Sequence, residues 1–259
     1  MDLGLSGRTA IVCASSRGLG RGAAFSLARA GCTLVLNGRD AAVLEKTAGE
    51  IRAATGVRIT AVVADVGTRE GQDALIAAAP EADILINNNG GPPPKGFREI
   101  DRAAMLDGVV QNMVTPIELI QRLVDGMIAR RFGRIVNITS ASVVTPITGL
   151  DLSSGARAGL TSFLAGVCRE VAHANVTINS VQPGMFDTDR LRGTTKKQAD
   201  AQGKTVEEMA KTRMSTVPAG RFGTPEEFGE VCAFLCSQQA GYITGQNILI
   251  DGGWFRSAF

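Results

Sequence analysis

Residues 13–20 read Cys13-Ala14-Ser15-Ser16-Arg17-Gly18-Leu19-Gly20. They stand between a short apolar run, Thr9 to Ala14, and an alanine-rich helical stretch, Arg21 to Ala30. Glycines at Gly18 and Gly20 let backbone come close to a pyrophosphate, and the helix start behind them offers unpaired N–H groups and partial positive charge. A glycine-rich turn alone is a weak signal. Its place after a first strand and before a first helix is the context that a dinucleotide site requires.

Outward from that turn, apolar runs rich in β-branched residues recur at Thr33 to Asn37, Arg58 to Ala64, Asp83 to Asn87, Arg134 to Thr139, Val176 to Val181 and Asn247 to Ile250. Between them, Ala41 to Ala54, Glu70 to Ala79, Ala103 to Arg130, Ala156 to Ala172 and Pro225 to Ser237 carry apolar residues three and four apart, the helical spacing. Strand and helix in alternation need right-handed crossovers and give a parallel sheet covered on both faces. The expected fold is a single doubly wound α/β Rossmann domain, residues 1–259, with a seven-stranded parallel sheet. Two segments break the rhythm: Gly90 to Gly96 (GGPPPKG), and Leu191 to Thr216, polar and lysine-rich with weak periodicity. Both follow the carboxyl end of a strand, where open sheets bind ligands, and both are expected as loops over the site, with 191–216 as a substrate loop.

Composition removes several function classes. The chain has 259 residues, 27 basic and 25 acidic side chains, 5% aromatics, one Tyr, one His and one Trp. Charges are interspersed and aromatics scarce, so no nucleic-acid surface is expected. No run approaches the ~20 apolar residues of a membrane span, and Met1 to Arg8 hold no basic segment followed by an apolar one, so a cytoplasmic location is expected. Cys13, Cys32, Cys168, Cys232 and Cys236 form no CxxC pair and lie in apolar segments, which fits buried thiols. With one His, no metal site is expected. Scarcity of Tyr and His also leaves acid-base chemistry few candidates near neutral pH.

The chain resembles the short-chain dehydrogenases/reductases, closest in look to the 3-oxoacyl carrier-protein reductase branch. The glycine turn corresponds to the family's TGxxxGxG, with Cys13 and Ala14 in place of its Thr and first Gly. Asp65-Val66, Asn87-Asn88-Asn89-Gly90, Asn112, Ser140, Pro183-Gly184 with Thr188, and Tyr242-Ile243-Thr244-Gly245 before Asp251-Gly252-Gly253 follow in the family's order. The resemblance implies that Ala14, Ser15, Ser16, Arg17, Gly18, Leu19 and Gly20 cradle a nicotinamide dinucleotide. It also implies that Asp65 and Val66 hold the adenine, that Asn88 and Gly90 lie along the cofactor, and that Phe186 and Thr188 meet the nicotinamide carboxamide. A homotetramer is implied too, with Ala103 to Arg130 and Ser153 to Ala172 between subunits.

The cofactor expected is NADP(H). Gly38 stands where an NAD-selecting Asp would be, Arg39 follows it, and Arg17 lies in the glycine turn, so two guanidinium groups can meet a 2′-phosphate. Alternatively both are solvated surface arginines.

The family's YxxxK pair is absent. Thirteen residues beyond Ser140 stands Ser153, and the Lys position is Arg157, within Leu152-Ser153-Ser154-Gly155-Ala156-Arg157-Ala158-Gly159-Leu160. A serine hydroxyl is a much weaker acid than a phenol of pKa ~10, and an arginine stays protonated, so neither reproduces the Tyr and Lys roles. Either Ser153 or Ser154 is a helix N-cap, or Ser140, Arg157 and a water held by Asn112 form an oxyanion-stabilising, proton-relaying set. Asp151 and Asp187 are alternative acids if burial raises them, and His173 lies in a polar helix end. The leading expectation is an NADP(H)-dependent oxidoreductase acting on a small carbonyl or alcohol, with Asn112, Ser140, Ser153 and Arg157 as its catalytic set and Arg157 also among the cofactor-binding residues, since positions 153 and 157 share a helix face and can keep the family's ribose contacts. Lys196, Lys197 and Lys204 are candidates to greet an acidic or carrier-linked substrate. An NADP(H)-binding protein without redox turnover, or a lyase or isomerase on the same fold, is the alternative.

Overall fold

The structure is a computed structural model that describes residues 2–257; Met1, Ala258 and Phe259, the ends of the expected 1–259 domain, lie outside the described residues. Seven strands form one parallel sheet: β1 Thr9–Val12, β2 Thr33–Gly38, β3 Ile59–Val63, β4 Ile84–Asn87, β5 Gly133–Ile138, β6 Val176–Pro183 and β7 Asn247–Ile250, in the order β3-β2-β1-β4-β5-β6-β7. Each expected strand is present. The order reverses between β1 and β4, and a crevice opens there beyond the carboxyl ends of the strands.

Alternation along β1 assigns its side chains to two cores. Ala10 and Val12 join one apolar cluster with α1 (Gly18–Arg29), while Ile11 and Cys13 join the other on the opposite face. The connections supply α2 Ala41–Thr55, α3 Arg69–Ala78, α4 Arg102–Val109, α5 Thr115–Ala129, α6 Asp151–Val171, α7 Asp189–Gln202, α8 Val206–Met214 and α9 Pro225–Cys236. All five cysteines are free and buried, and burial pushes the Cys13 and Cys32 thiols up to about 12. Among the described residues no helix is long and apolar enough to cross a membrane.

Two expectations need correction. The single helix expected over Ala103 to Arg130 is broken by a π turn at Val110–Val114, which separates α4 from α5. The segment Leu191 to Thr216, expected as a loop, is α7 and α8. Thr188 Oγ1 accepts from Leu191 N–H to start α7, and Thr205 and Glu208 close a reciprocal capping box on α8. Their composition hid them because little of either helix is buried: Thr195, Ala199 and Met209. Gly90 to Gly96 does run without regular structure, tied by Lys95 N–H donating to Gly149 O at 3.2 Å.

The helix α1 can lie so close to α9 only because Gly22 lacks a side chain. A Cβ there would come within 2.0 Å of Pro225 O, while one at Gly49 in α2 would meet nothing within 4 Å. Gly22→Ala is therefore expected to cost about 1–3 kcal/mol through overpacking, whereas Gly49→Ala should be neutral or gain up to about 1 kcal/mol. Thermal unfolding of the two variants checks this, and equal midpoints would contradict the packing argument.

Candidate active site

The glycine turn is shaped by its neighbours. Ala14 takes a left-handed φ of 43°, where the resembling motif has glycine, and Gly18 takes 56°. Asn37, at the end of β2, fixes the turn: its Oδ1 accepts from Ala14 N–H at 3.1 Å and its backbone exchanges bonds with Ser15. Asn88 Nδ2 donates to Ala14 O at 3.2 Å, and a Cβ at Gly20 would lie 2.4 Å from that same oxygen. Ser16 gives its carbonyl to Thr47 Oγ1, and Leu19 packs against the core. The α1 N-terminus carries no side-chain cap: Arg17 occupies that position and is exposed. Unpaired N–H groups, a close backbone and a free cation fit a dinucleotide pyrophosphate.

Arg39 is exposed beyond β2, in a loose 3.7 Å pair with Asp65, whose Oδ1 accepts from Gly67 N–H. Gly38 stands beside Ser16, with a Cβ built there 3.1 Å from its Oγ, so the end of β2 presents no acid to a 2′-phosphate. Val66 is buried and faces the interior cavity described below. On the opposite wall, Thr188 lies over the turn, with Cγ2 3.4 Å from a Cβ built at Gly18. The Phe186 ring turns into the core, edge-on to Phe228 at 5.3 Å, so this residue can offer a carboxamide only its backbone. Its neighbours Met185 and Asp187 take the bonds to Gly223, which leaves the Phe186 N–H and C=O on the other side of that bridge. Gly90 faces open space, with nothing within 4 Å of an added Cβ.

Deeper in the crevice, Ser140 follows β5. Its Oγ accepts from Ser142 N–H at 3.1 Å, and its O–H is left to donate. Ser153 is not an N-cap: α6 begins at Asp151 and Leu150 precedes it, while Ser154 Oγ donates back to Leu150 O. Ser153 instead lies one turn from Arg157, whose Nε donates to Ser153 Oγ at 3.0 Å. The guanidinium, expected to stabilise charge on a substrate oxygen, spends its N–H groups on protein acceptors. It is 7% exposed and turned inward, with Nη1 donating to Ile138 O and Nη2 to Asn89 O at 3.5 Å. A buried cation needs acceptors, and these backbone carbonyls are within reach. Burial first, and the charge of Arg190 second, hold its pKa down to about 10, so it stays protonated at neutral pH.

Beneath it lies a cavity lined by Val66, Asn87, Asn112, Thr115, Asn137 and Arg157, with about 20 Å³ open to the centre of a water molecule. Asn87 Oδ1, Asn112 Oδ1 and Thr115 Oγ1 are buried without a protein partner, and Asn112 sits in the π turn with Nδ2 donating to Gly108 O. A polar cavity of that size is a water site, and π turns recur at functional positions.

Other candidates lie elsewhere. Asp187 is exposed and accepts from Arg192 at 2.9 Å; Asp151 is exposed. His173 is exposed with Nδ1 near Glu170 O, and Tyr242 is fully exposed before β7. Lys196 pairs with Asp200 on the outside of α7, and Lys197 and Lys204 are exposed. Sequence reasoning missed Asn89, Gln111 and Arg190. Asn89 Nδ2 donates to Gln111 Oε1 at 2.6 Å, and Arg190 crosses the crevice to Gly91. The position of Arg190, two residues beyond Thr188, was the available signal.

The parallel sheet, its switch-point crevice and the glycine turn define a nucleotide-binding α/β protein. A family model described as enoyl-(acyl carrier protein) reductase matches residues 13–255, and the chain belongs to this family of short-chain dehydrogenases/reductases. It is 32% identical to the 3-oxoacyl-[acyl-carrier-protein] reductase FabG of Aquifex aeolicus, over 98% of this chain and 100% of that relative. It is also 32% identical to the NADPH-dependent reductase BacG of Bacillus subtilis, with 98% and 100% covered. The L-sorbose reductase of Gluconobacter frateurii, solved with NADPH and L-sorbose, has the same fold at a TM-score of 0.94 and 30% identity, covering 99% of this chain and 100% of that one.

Since Ser153 is the acceptor of a buried guanidinium N–H, Ser153→Ala is expected to destabilise the protein by about 1–3 kcal/mol. Ser154→Ala, which removes only a bond back to the preceding turn, should stay within about 0.5 kcal/mol. Urea unfolding measures both, and a neutral Ser153→Ala would sink the paired assignment.

Proposed function

We propose that the protein is an NADP(H)-dependent oxidoreductase that interconverts a carbonyl and an alcohol, with Ser140 holding the substrate oxygen. The observation that carries this is the pairing of a glycine turn free of any 2′-phosphate-repelling acid with a Ser140 hydroxyl free to donate at the inner end of the same crevice. The cofactor would lie along Ser15 to Gly20, with Arg17 and Arg39 toward its 2′-phosphate, Asp65 toward the adenine, Asn88 and Gly90 along its length, and Thr188 with the Phe186 backbone at the carboxamide. When bound, the reduced cofactor would supply hydride to a carbonyl carbon and the oxidised cofactor would accept it from an alcohol carbon. Ser140 O–H donates to the substrate oxygen and polarises it.

Arg157 acts as a positioning residue and a fixed charge, with Ser153 Oγ as one of its acceptors. Its charge favours negative charge growing on the substrate oxygen. No side chain lining the inner cavity is a phenol, imidazole or carboxylate. The proton is therefore assigned to water in the Asn87, Asn112 and Thr115 cavity. The absence of a strong side-chain acid also favours a second reading, an NADP(H)-binding protein without redox turnover. A homotetramer belongs to the proposal as well, supported by exposed Met105, Leu106 and Val109 on α4 and Phe163 on α6.

The test is NADPH oxidation by the pure protein across a panel of ketones and aldehydes, run beside direct NADPH binding. Turnover above background supports the oxidoreductase, and binding without turnover on any of them leaves the second reading. Arg157→Ala should abolish turnover while NADPH still binds. Arg17→Ala combined with Arg39→Ala is expected to weaken NADPH binding tenfold or more and leave NADH binding within twofold, because each arginine supplies a charge-assisted bond to the phosphate. Equal losses for both cofactors would contradict the assignment of the phosphate site.

A further inference from the structure

Arg190, in the first turn of α7, places its guanidinium across the crevice. A Cβ built at Gly91 on the far wall would lie 2.7 Å from its Nη1 and 2.8 Å from its Nη2. It has no hydrogen bond or ion pair to any described residue. The other basic residues around it differ: Arg192 takes both nearby acids, Asp187 at 2.9 Å and Asp189 at 3.5 Å, and Arg213 donates to Thr194 and Thr195. The charged end is desolvated enough to lower its pKa, although the residue as a whole is exposed.

Its position relative to the rest of the crevice is informative. Thr188 covers the glycine turn, and two residues later Arg190 reaches Gly91, which follows the Asn89 whose carbonyl receives Arg157. The two guanidinium groups are near enough for the charge of Arg190 to depress Arg157. The two acids nearest Arg190 in sequence, Asp187 and Asp189, are both taken by Arg192. The two side chains approach the same loop from two sides, Arg157 at the Asn89 carbonyl from within and Arg190 at Gly91 from the crevice, and only Arg190 is left without an acceptor among the described residues. The phosphates of a dinucleotide have their own donors at the glycine turn. A planar fork of N–H donors in the remaining space matches a carboxylate bidentately.

We propose that Arg190 is the carboxylate-binding residue of the substrate site, so that the protein takes keto acids, or the corresponding hydroxy acids, in preference to neutral carbonyl compounds. This rests on the oxidoreductase reading for the location of the substrate, and it moves acid recognition from the outward lysines of α7 to the crevice itself.

The test reads binding, so it does not depend on turnover. Affinities for the protein saturated with NADP⁺ are measured for acetoacetate, levulinate and 2-oxobutanoate, each beside its methyl ester. At least one acid is expected to bind tenfold or more tightly than its ester. Arg190→Gln should reduce that preference to twofold or less, and Arg192→Gln should leave it in place. The proposal is overturned if no acid is preferred by the wild-type protein, or if the preference survives in Arg190→Gln. It is also overturned if Arg190→Gln weakens NADP⁺ tenfold, since the cation would then serve the cofactor phosphates. A charge preference that depends on Arg190 without any NADPH oxidation would support the carboxylate site and count against the redox reading alone.

Discussion

A protonated guanidinium held in the interior is the constraint from which this site is built. Taking such a charge out of water costs several kcal/mol, and the cost is offset only when its N–H groups find acceptors in good geometry. Arg157 finds three, on Ser153, Ile138 and Asn89, and each belongs to a different part of the fold: the same helix, the end of β5, and the loop after β4. One side chain thus ties α6 to the two strand ends that frame the crevice. Ser153 and Arg157 form one unit in consequence. A short hydroxyl at Ser153, where the family resemblance implies a phenol, leaves room for a guanidinium to reach it, and the larger donor set of arginine claims two backbone carbonyls.

Polar side chains continue beneath this unit. Asn87 Nδ2 donates to Asn137 Oδ1 on the paired position of β5, Asn137 Nδ2 donates to Asn179 O on β6, and Asn179 Nδ2 donates to Ile243 O before β7. Amides in a row across three buried strands are stable because each donor is matched. What this row leaves over is acceptor capacity on the cavity side, at Asn87 Oδ1, joined by Asn112 Oδ1 and Thr115 Oγ1 where the π turn brings that helix inward. The water site and the row of amides are two ends of the same bonding pattern.

The fold was legible because period and punctuation agree along most of the chain. Apolar runs of strand length alternate with helical spacing, and each expected strand is found. What stayed hidden has local causes. A π turn adds a residue to a helix without changing its composition, so the segment around Asn112 reads as continuous. Helices α7 and α8 bury so little that the 3.6-residue pattern is faint, although Thr188 and the Thr205–Glu208 box mark their starts. The pair Ser153 and Arg157 was legible as a shared helix face, but its inward direction depends on carbonyls supplied by β5 and the β4 loop, which sequence spacing does not reveal. Arg190 escaped for the same reason: its meaning comes from Gly91, far away in sequence and opposite in space.

A serine where the resemblance implies a phenol would change the order of importance among the forces at the site. A phenol couples hydride transfer to a proton held at the substrate oxygen, so the oxygen never carries full charge. In the proposed reaction, with Ser140 as the donor to that oxygen, negative charge on the oxygen would have to be stabilised electrostatically until a proton arrived through water. In the proposed oxidoreductase that stabilisation would come from the buried charge of Arg157 behind Ser153, and a fixed charge acts without proton transfer or reorganisation. The same field favours substrates that are already anionic. Loss of the side-chain acid and selection for a carboxylate are, on this reasoning, two consequences of one positive potential.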